Sequence, residues 1–220
     1  TSYDYTGYLF NFPSHHWVQS FDIMADCMRN CSFKDYMLNS EMKAVIQELK
    51  MYRDRFDRSL VDEIISTIFQ EHPYHHPIIG YKQDLWSVTS DDLKAFYKEH
   101  YVPNNATLVV VGDVDPQQVF QEADTYFGAI SANPSYKKKE HHHSKDIASK
   151  TITLYRDIKQ PLAVYTFLVP GTREKKDNVL ELLARIIGKG KGSRLYKRLV
   201  NQEKLAISLS ASNEDLFDHG

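Results

Sequence analysis

Glu41 and Glu48 are the side chains whose type and spacing most directly suggest chemistry. They stand seven residues apart in Asn39–Arg55 (NSEMKAVIQELKMYRDR), where apolar residues recur at helical spacing. Met42, Val45, Ile46 and Leu49 form one stripe, and Lys43, Gln47 and Lys50 fall opposite. Seven residues is close to two turns, so the carboxylates project nearly in register, at the edge of the stripe. A carboxylate at that boundary is partly desolvated and needs a cation, a hydrogen-bond donor or a metal ion. Spacing alone favours the plainer reading, two helix glutamates paired with nearby Lys or Arg.

Other groups invite chemistry less directly. Cys27 and Cys31, four apart in a helical pattern, read as a metal or redox pair or as two small buried apolar side chains. The second is the commoner fate of free cysteine. Two cysteines make no disulfide framework and fix no compartment. His141-His142-His143 follows the charge run Lys137-Lys138-Lys139-Glu140 with no Cys or acidic partner set nearby, so a solvated linker is the better reading than a metal site. Gly188-Lys189-Gly190-Lys191-Gly192-Ser193 lacks the spacing of a phosphate-binding loop and lies between two helical patterns, which makes it a turn.

The elements that must position these residues follow from periodicity and punctuation. Thr1–Phe12 alternates and is rich in Tyr, Phe and Thr, as a strand ended by Pro13. His15–Cys31, Asn39–Arg55 and Ser59–Gln70 read as helices, followed by a turn-rich His72–Pro77. Thr89-Ser90-Asp91-Asp92 is an N-cap signal for a helix through Tyr101, and Asp115-Pro116 opens another that ends near Gly128. Ala106–Gly112 (ATLVVVG) suits a buried strand. Beyond the polar 131–150, Thr151–Arg156, Leu162–Pro170 and Leu205–Ser212 read as strands, and Asp177–Ile187 and Ser193–Asn201 as helices. The expectation is an α+β chain of two incomplete units; the first has two good strands, fewer than a sheet usually needs. The last strand and Asn213-Glu214-Asp215 resemble the start of the first unit, as in a duplicated domain.

Several blocks occur in a telling order: Thr1-Ser2-Tyr3-Asp4-Tyr5-Thr6-Gly7-Tyr8, Glu41–Glu48 (EMKAVIQE), His72-Pro73-Tyr74 with Pro77 and Gly80, Phe96–Asn105 (FYKEHYVPNN), and Leu108–Val114 (LVVVGDV). Together they resemble the pitrilysin/insulinase family of zinc peptidases, the inverzincins. In that family an H-x-x-E-H helix supplies two zinc-ligand histidines and the catalytic glutamate. The resemblance implies that Glu48 is the third zinc ligand and Glu41 the supporting carboxylate seven residues before it. Two imidazoles and a carboxylate leave Zn²⁺ a fourth position for water, which the metal makes acidic. The resemblance further implies two homologous strand-helix units, each a mixed sheet covered by helices on one face. Residues 1–130 would be the C-terminal part of a metal-site domain, 131–150 a linker, and 151–220 the N-terminal part of a second, metal-free domain.

No H-x-x-E-H occurs in this chain. The expectation is that those histidines precede Thr1, which is no initiator Met. The nearest match, His72-Pro73-Tyr74-His75-His76, has His where the glutamate belongs and Pro in its first turn, and is not expected to bind metal. Ser193-Arg194-Leu195 corresponds to the second domain's metal-free counterpart of the zinc helix. The family's substrate-gripping Arg and Tyr positions are occupied by Val200 and Ile207. The implied function is a zinc metalloendopeptidase acting on peptides and unfolded polypeptides, with further homologous domains or a homologous subunit as partner. This chain, with at most one zinc ligand, is expected to be inactive alone. The rival reading is a non-catalytic homologue that has lost the metal site.

Composition is compatible with this. The 220 residues carry 27 basic and 29 acidic side chains, which gives no electrostatic reason to propose nucleic acid as a partner. With 42% hydrophobic and 12% aromatic residues the chain reads as globular. No apolar run approaches the roughly 20 residues that span a bilayer.

Overall fold

The computed structural model describes residues 1–139, 141, 148–172, 177–214 and 216–218. Seven α-helices are described: α1 Trp17–Arg29, α2 Asp35–Asp54, α3 Phe56–Ile68, α4 Lys82–Ser87, α5 Ser90–His100, α6 Pro116–Phe127 and α7 Asp177–Gly188. A π-helix covers Tyr196–Gln202, and short 3₁₀ turns cover Ser14–His16, Pro73–His75 and Pro103–Asn105.

The helices form where local chemistry asks for them. At the start of α5 the Thr89 hydroxyl accepts from the Asp92 N–H at 3.2 Å, while the Asp92 carboxylate accepts from the Thr89 N–H at 2.9 Å. This reciprocal cap satisfies two donors that a helix start otherwise leaves open. Asp115 does the same for α6, accepting from the Gln118 N–H at 2.9 Å, and Pro116 follows where its missing N–H costs nothing. α4 has six residues, too few for a periodic signal, and the sequence pattern does not mark it. Between α1 and α2, Phe33 sits at φ +43°.

Two compact units are present, each discontinuous in sequence. One comprises residues 7–58 and 79–140. There α1 packs on α6 and α2 on α4. Its core is Phe21, Ala25, Ile46, Leu49 and Val102. Phe21 is 2% exposed and meets Trp17, Phe127 and Tyr126 edge-on, with ring centroids 5.2, 5.5 and 6.5 Å away. The other unit comprises residues 1–6, 59–78 and 141–220, with Phe69, Tyr74, His72 and Ser193 buried.

The α+β expectation is corrected by the structure. Among the described residues no strand forms, so neither the mixed sheet nor the two strand-helix units are present. Thr1–Phe12, Ala106–Gly112, Thr151–Arg156, Leu162–Pro170 and Leu205–Ser212 are all non-helical, and apart from a single bridge residue at Pro170 none of them pairs with a neighbour as a strand. Alternation and β-branching express a preference for extended backbone, whereas a strand needs a neighbour whose N–H and C=O groups arrive in register. Beside Ala106–Gly112 the backbone bonds are local instead, Ala106 N–H to Pro103 O at 3.1 Å and Val114 N–H to Gly112 O at 3.1 Å, while isolated longer-range bonds, Ala211 N–H to Gly188 O at 3.3 Å and Thr172 N–H to Leu216 O at 2.9 Å, do not extend into a ladder. Val111 is 90% exposed and Tyr165 86%, so these apolar side chains lie open. The expected helix Ser193–Asn201 is also altered, because its main part is wound as a π-helix, with Glu203 N–H reaching Arg198 O at 2.8 Å. Glu140, His142, His143 and Asp215 lie outside the described residues.

Candidate functional site

α2 carries both glutamates, on the same side and about 10 Å apart along the axis at 1.5 Å per residue. The helix forms because Ile46 and Leu49 are drawn into the core, each 4% exposed, with Met42 and Val45 half-buried beside them. Glu41 and Glu48 themselves are exposed rather than partly desolvated. Among the described residues neither makes a hydrogen bond or ion pair, so the Lys or Arg partners that spacing favoured are not found. No group of three or more His, Cys, Asp or Glu side chains among the described residues could hold a metal ion. A structural or catalytic zinc takes three or four protein ligands, so these residues do not by themselves fit one. What α2 offers is one free, accessible carboxylate at Glu48 and a second, Glu41, two turns away.

The near match to a zinc motif is used by the fold. His72 is 3% exposed, and its Nδ1 accepts from the Tyr74 N–H at 3.2 Å. That bond places the ring proton on Nε2, which faces Asp218 Oδ2 at 3.4 Å. His75 Nδ1 lies 2.9 Å from the Ser66 carbonyl at the end of α3. Both imidazoles are thus tied to neighbouring structure. His141 is exposed, with its ring 5.6 Å from that of His72.

Sequence reasoning missed what surrounds His72. The Tyr74 hydroxyl donates to Asp4 Oδ1 at 2.6 Å and accepts from the Asp218 N–H at 3.2 Å, while Asp4 Oδ2 accepts from the Phe217 N–H at 3.0 Å. Burial first, and then the bond to Asp4, push the Tyr74 phenol well above the usual tyrosine value. One hydroxyl therefore joins segments 144 residues apart in sequence, and no local pattern marks Asp218 as its partner. Tyr74→Phe keeps the ring that packs on Tyr3 and Phe69 but leaves the Asp4 carboxylate one donor short. The expected cost is about 1–3 kcal/mol, read as a lower denaturant midpoint at unchanged slope. An unchanged midpoint would show that water replaces the hydroxyl without loss.

The glycine-rich segment is an ordered turn. Gly190 takes φ +80°, and the Ser193 hydroxyl donates to its carbonyl at 2.8 Å. A Cβ on Gly188 would come within 2.5 Å of Ala211 Cβ, so close approach fixes that glycine. Val200 is half-buried and Ile207 exposed. No helix among the described residues is long and apolar enough to cross a membrane.

Comparison with known proteins bears on these observations. The family model described as "Insulinase (Peptidase family M16)" matches residues 1–82, and that described as "Peptidase M16 inactive domain" matches residues 87–220, more than half of the chain. The chain is 28% identical over 225 residues to the zinc protease PqqE of Helicobacter pylori, covering 99% of this chain and 50% of that protein. It is 24% identical to the uncharacterized zinc protease YmxG of Bacillus subtilis, over 100% of this chain and 53% of the relative. The chain thus spans about half the length of the relatives it matches. The crystal structure of a protease from Helicobacter pylori shares its fold with a TM-score of 0.82, at 24% identity, over 95% of this chain and 52% of that one.

Proposed function

Because the chain belongs to the insulinase (M16) family of peptidases, we propose that it is part of a zinc-dependent endopeptidase that hydrolyses peptides and unfolded polypeptides. Glu48 is one zinc ligand in the whole protein, Glu41 supports it, and the remaining ligands come from outside the 220 residues. Residues 1–130 belong to the metal-site domain, 131–150 link it to the next, and 151–220 open a second domain without metal. Further domains of the same kind, or a homologous subunit, complete the enzyme.

The observation that carries this reading is the pair on α2. Both carboxylates are exposed, in register, and free of any competing cation among the described residues. A structural salt bridge would have used them; a metal brought by another part of the protein finds Glu48 available. That the two relatives described above are zinc proteases supports a peptidase ancestry for the chain.

The test is cleavage of a quenched fluorescent peptide by the whole protein and by the 220-residue chain, each with and without a zinc chelator. The whole protein is expected to cleave and to stop when chelated, while the chain alone stays silent. Chelator-sensitive cleavage by the chain alone would overturn this division of the site. A silent whole protein would instead support the non-catalytic homologue.

A further inference from the structure

Cys27 lies in the last turn of α1, and Cys31 is the residue after the C-cap Asn30. Both are free and exposed, so burial as small apolar side chains does not describe them. The Cys31 thiol donates to the Cys27 carbonyl at 3.4 Å. The Tyr97 hydroxyl donates to the same carbonyl and lies against the Cys31 thiol and N–H. Burial first, then the nearby Cys31, push the Tyr97 phenol up to about 12, so it stays a donor throughout the neutral range.

In a continuous helix, positions four apart have Cα atoms about 6 Å apart, inside the span of about 4.4–6.8 Å that disulfides occupy. Their Cβ atoms in a continuous helix stand about 5–6 Å apart, wider than the roughly 3.5–4.5 Å a disulfide needs. That mismatch forbids closure inside a helix. Cys31 has already left it: Asn30 caps the helix at φ −124° and ψ 16°, and Phe33 turns the chain at positive φ. Closing the gap therefore moves a residue beyond the cap and breaks no bond within α1. Nor does it orphan the Cys27 carbonyl, which keeps the Tyr97 hydroxyl when the thiol proton is gone.

We propose that Cys27 and Cys31 form a thiol–disulfide site that is oxidised by low-molecular-weight disulfides. The thiolate of one cysteine attacks the small disulfide, whose S–S bond breaks and releases one small thiol. The second cysteine attacks the cysteine sulfur of the mixed disulfide and releases the other. Two cysteine thiols are oxidised, one small disulfide is reduced to two thiols, and the two protons pass to the products. The new bond ties the end of α1 to the turn that leads into α2, the helix carrying Glu41 and Glu48. The site does not depend on the peptidase reading.

The experiment treats the 220-residue chain with oxidised glutathione, with and without denaturant, and follows thiol content and intact mass. The expected product has lost both thiols and two hydrogen masses, carries a Cys27–Cys31 link within one chain, and closes at least about tenfold faster in the native state than in denaturant, because the native backbone keeps the Cys31 thiol beside residue 27, at 3.4 Å from its carbonyl. Cys27→Ser and Cys31→Ser should each stop at a single glutathione adduct. Stable adducts on both cysteines of the wild type, disulfide-linked dimers, unreacted thiols, or equal rates with and without denaturant would each overturn the proposal.

Discussion

Glu48→Gln in the whole protein is expected to abolish chelator-sensitive peptide hydrolysis and to lower bound zinc, while the variant folds normally. Gln matches Glu in size but lacks the charge that makes a carboxylate a ligand for Zn²⁺. Glu41→Gln is expected to cost less, about 10–100-fold in activity or metal affinity, the usual toll when a group that orients a ligand is lost. Both side chains are exposed and without partners among the described residues. Their replacement should therefore move stability by no more than about 0.5 kcal/mol. That separates the two possible causes of a dead variant, since unfolding would show as a shifted denaturant midpoint. If Glu41→Gln is the more damaging change, the two roles are exchanged. If both variants cleave normally, the metal is bound elsewhere.

Phe21→Ala is expected to cost about 3–5 kcal/mol, the range for emptying a buried aromatic site. Its ring is 2% exposed and wedged among Trp17, Tyr126 and Phe127, where α1 meets α6. Against a total stability of about 5–15 kcal/mol, this one change takes away a large share of the margin. Phe120→Ala on the same α6 is the matching control, because Phe120 is 75% exposed and should change stability by no more than about 0.5 kcal/mol. Denaturant midpoints of the two variants decide it. Equal effects would mean that α1 and α6 are not held together through Phe21.

These contrasts show which parts of the molecule local sequence describes. Thr89 and Asp92 announce α5, and Asp115-Pro116 announces α6, because a cap is an interaction across three or four residues and is complete in the sequence. The apolar stripe of α2 is legible for the same reason, and it correctly sends Ile46 and Leu49 inward. Helical phase alone could not say how much covers Glu41 and Glu48, which depends on what packs beside the stripe. Strand pairing is non-local, so the alternation in Thr1–Phe12 and the β-branched run in Ala106–Gly112 could state a preference but not provide a partner. The cysteines went the other way. The general tendency of free cysteine toward burial is not followed: Cys27 in the last turn of α1 and Cys31 just past its cap are both exposed, because burial depends on what packs beside a helix end and not on residue type alone. The Tyr74 hub was invisible because its partners lie at residues 4 and 218.

The open segments also govern how the chain behaves as a material. Val109 and Val111, like Tyr165 and Phe167, present alternate apolar side chains on backbone that no ladder occupies. Such a stretch is a template on which another extended segment can lay itself down. The drive is apolar, so it strengthens on warming and weakens on cooling. Light scattering of the chain is therefore expected to rise with concentration and with warming, and to stay low in cold, dilute solution.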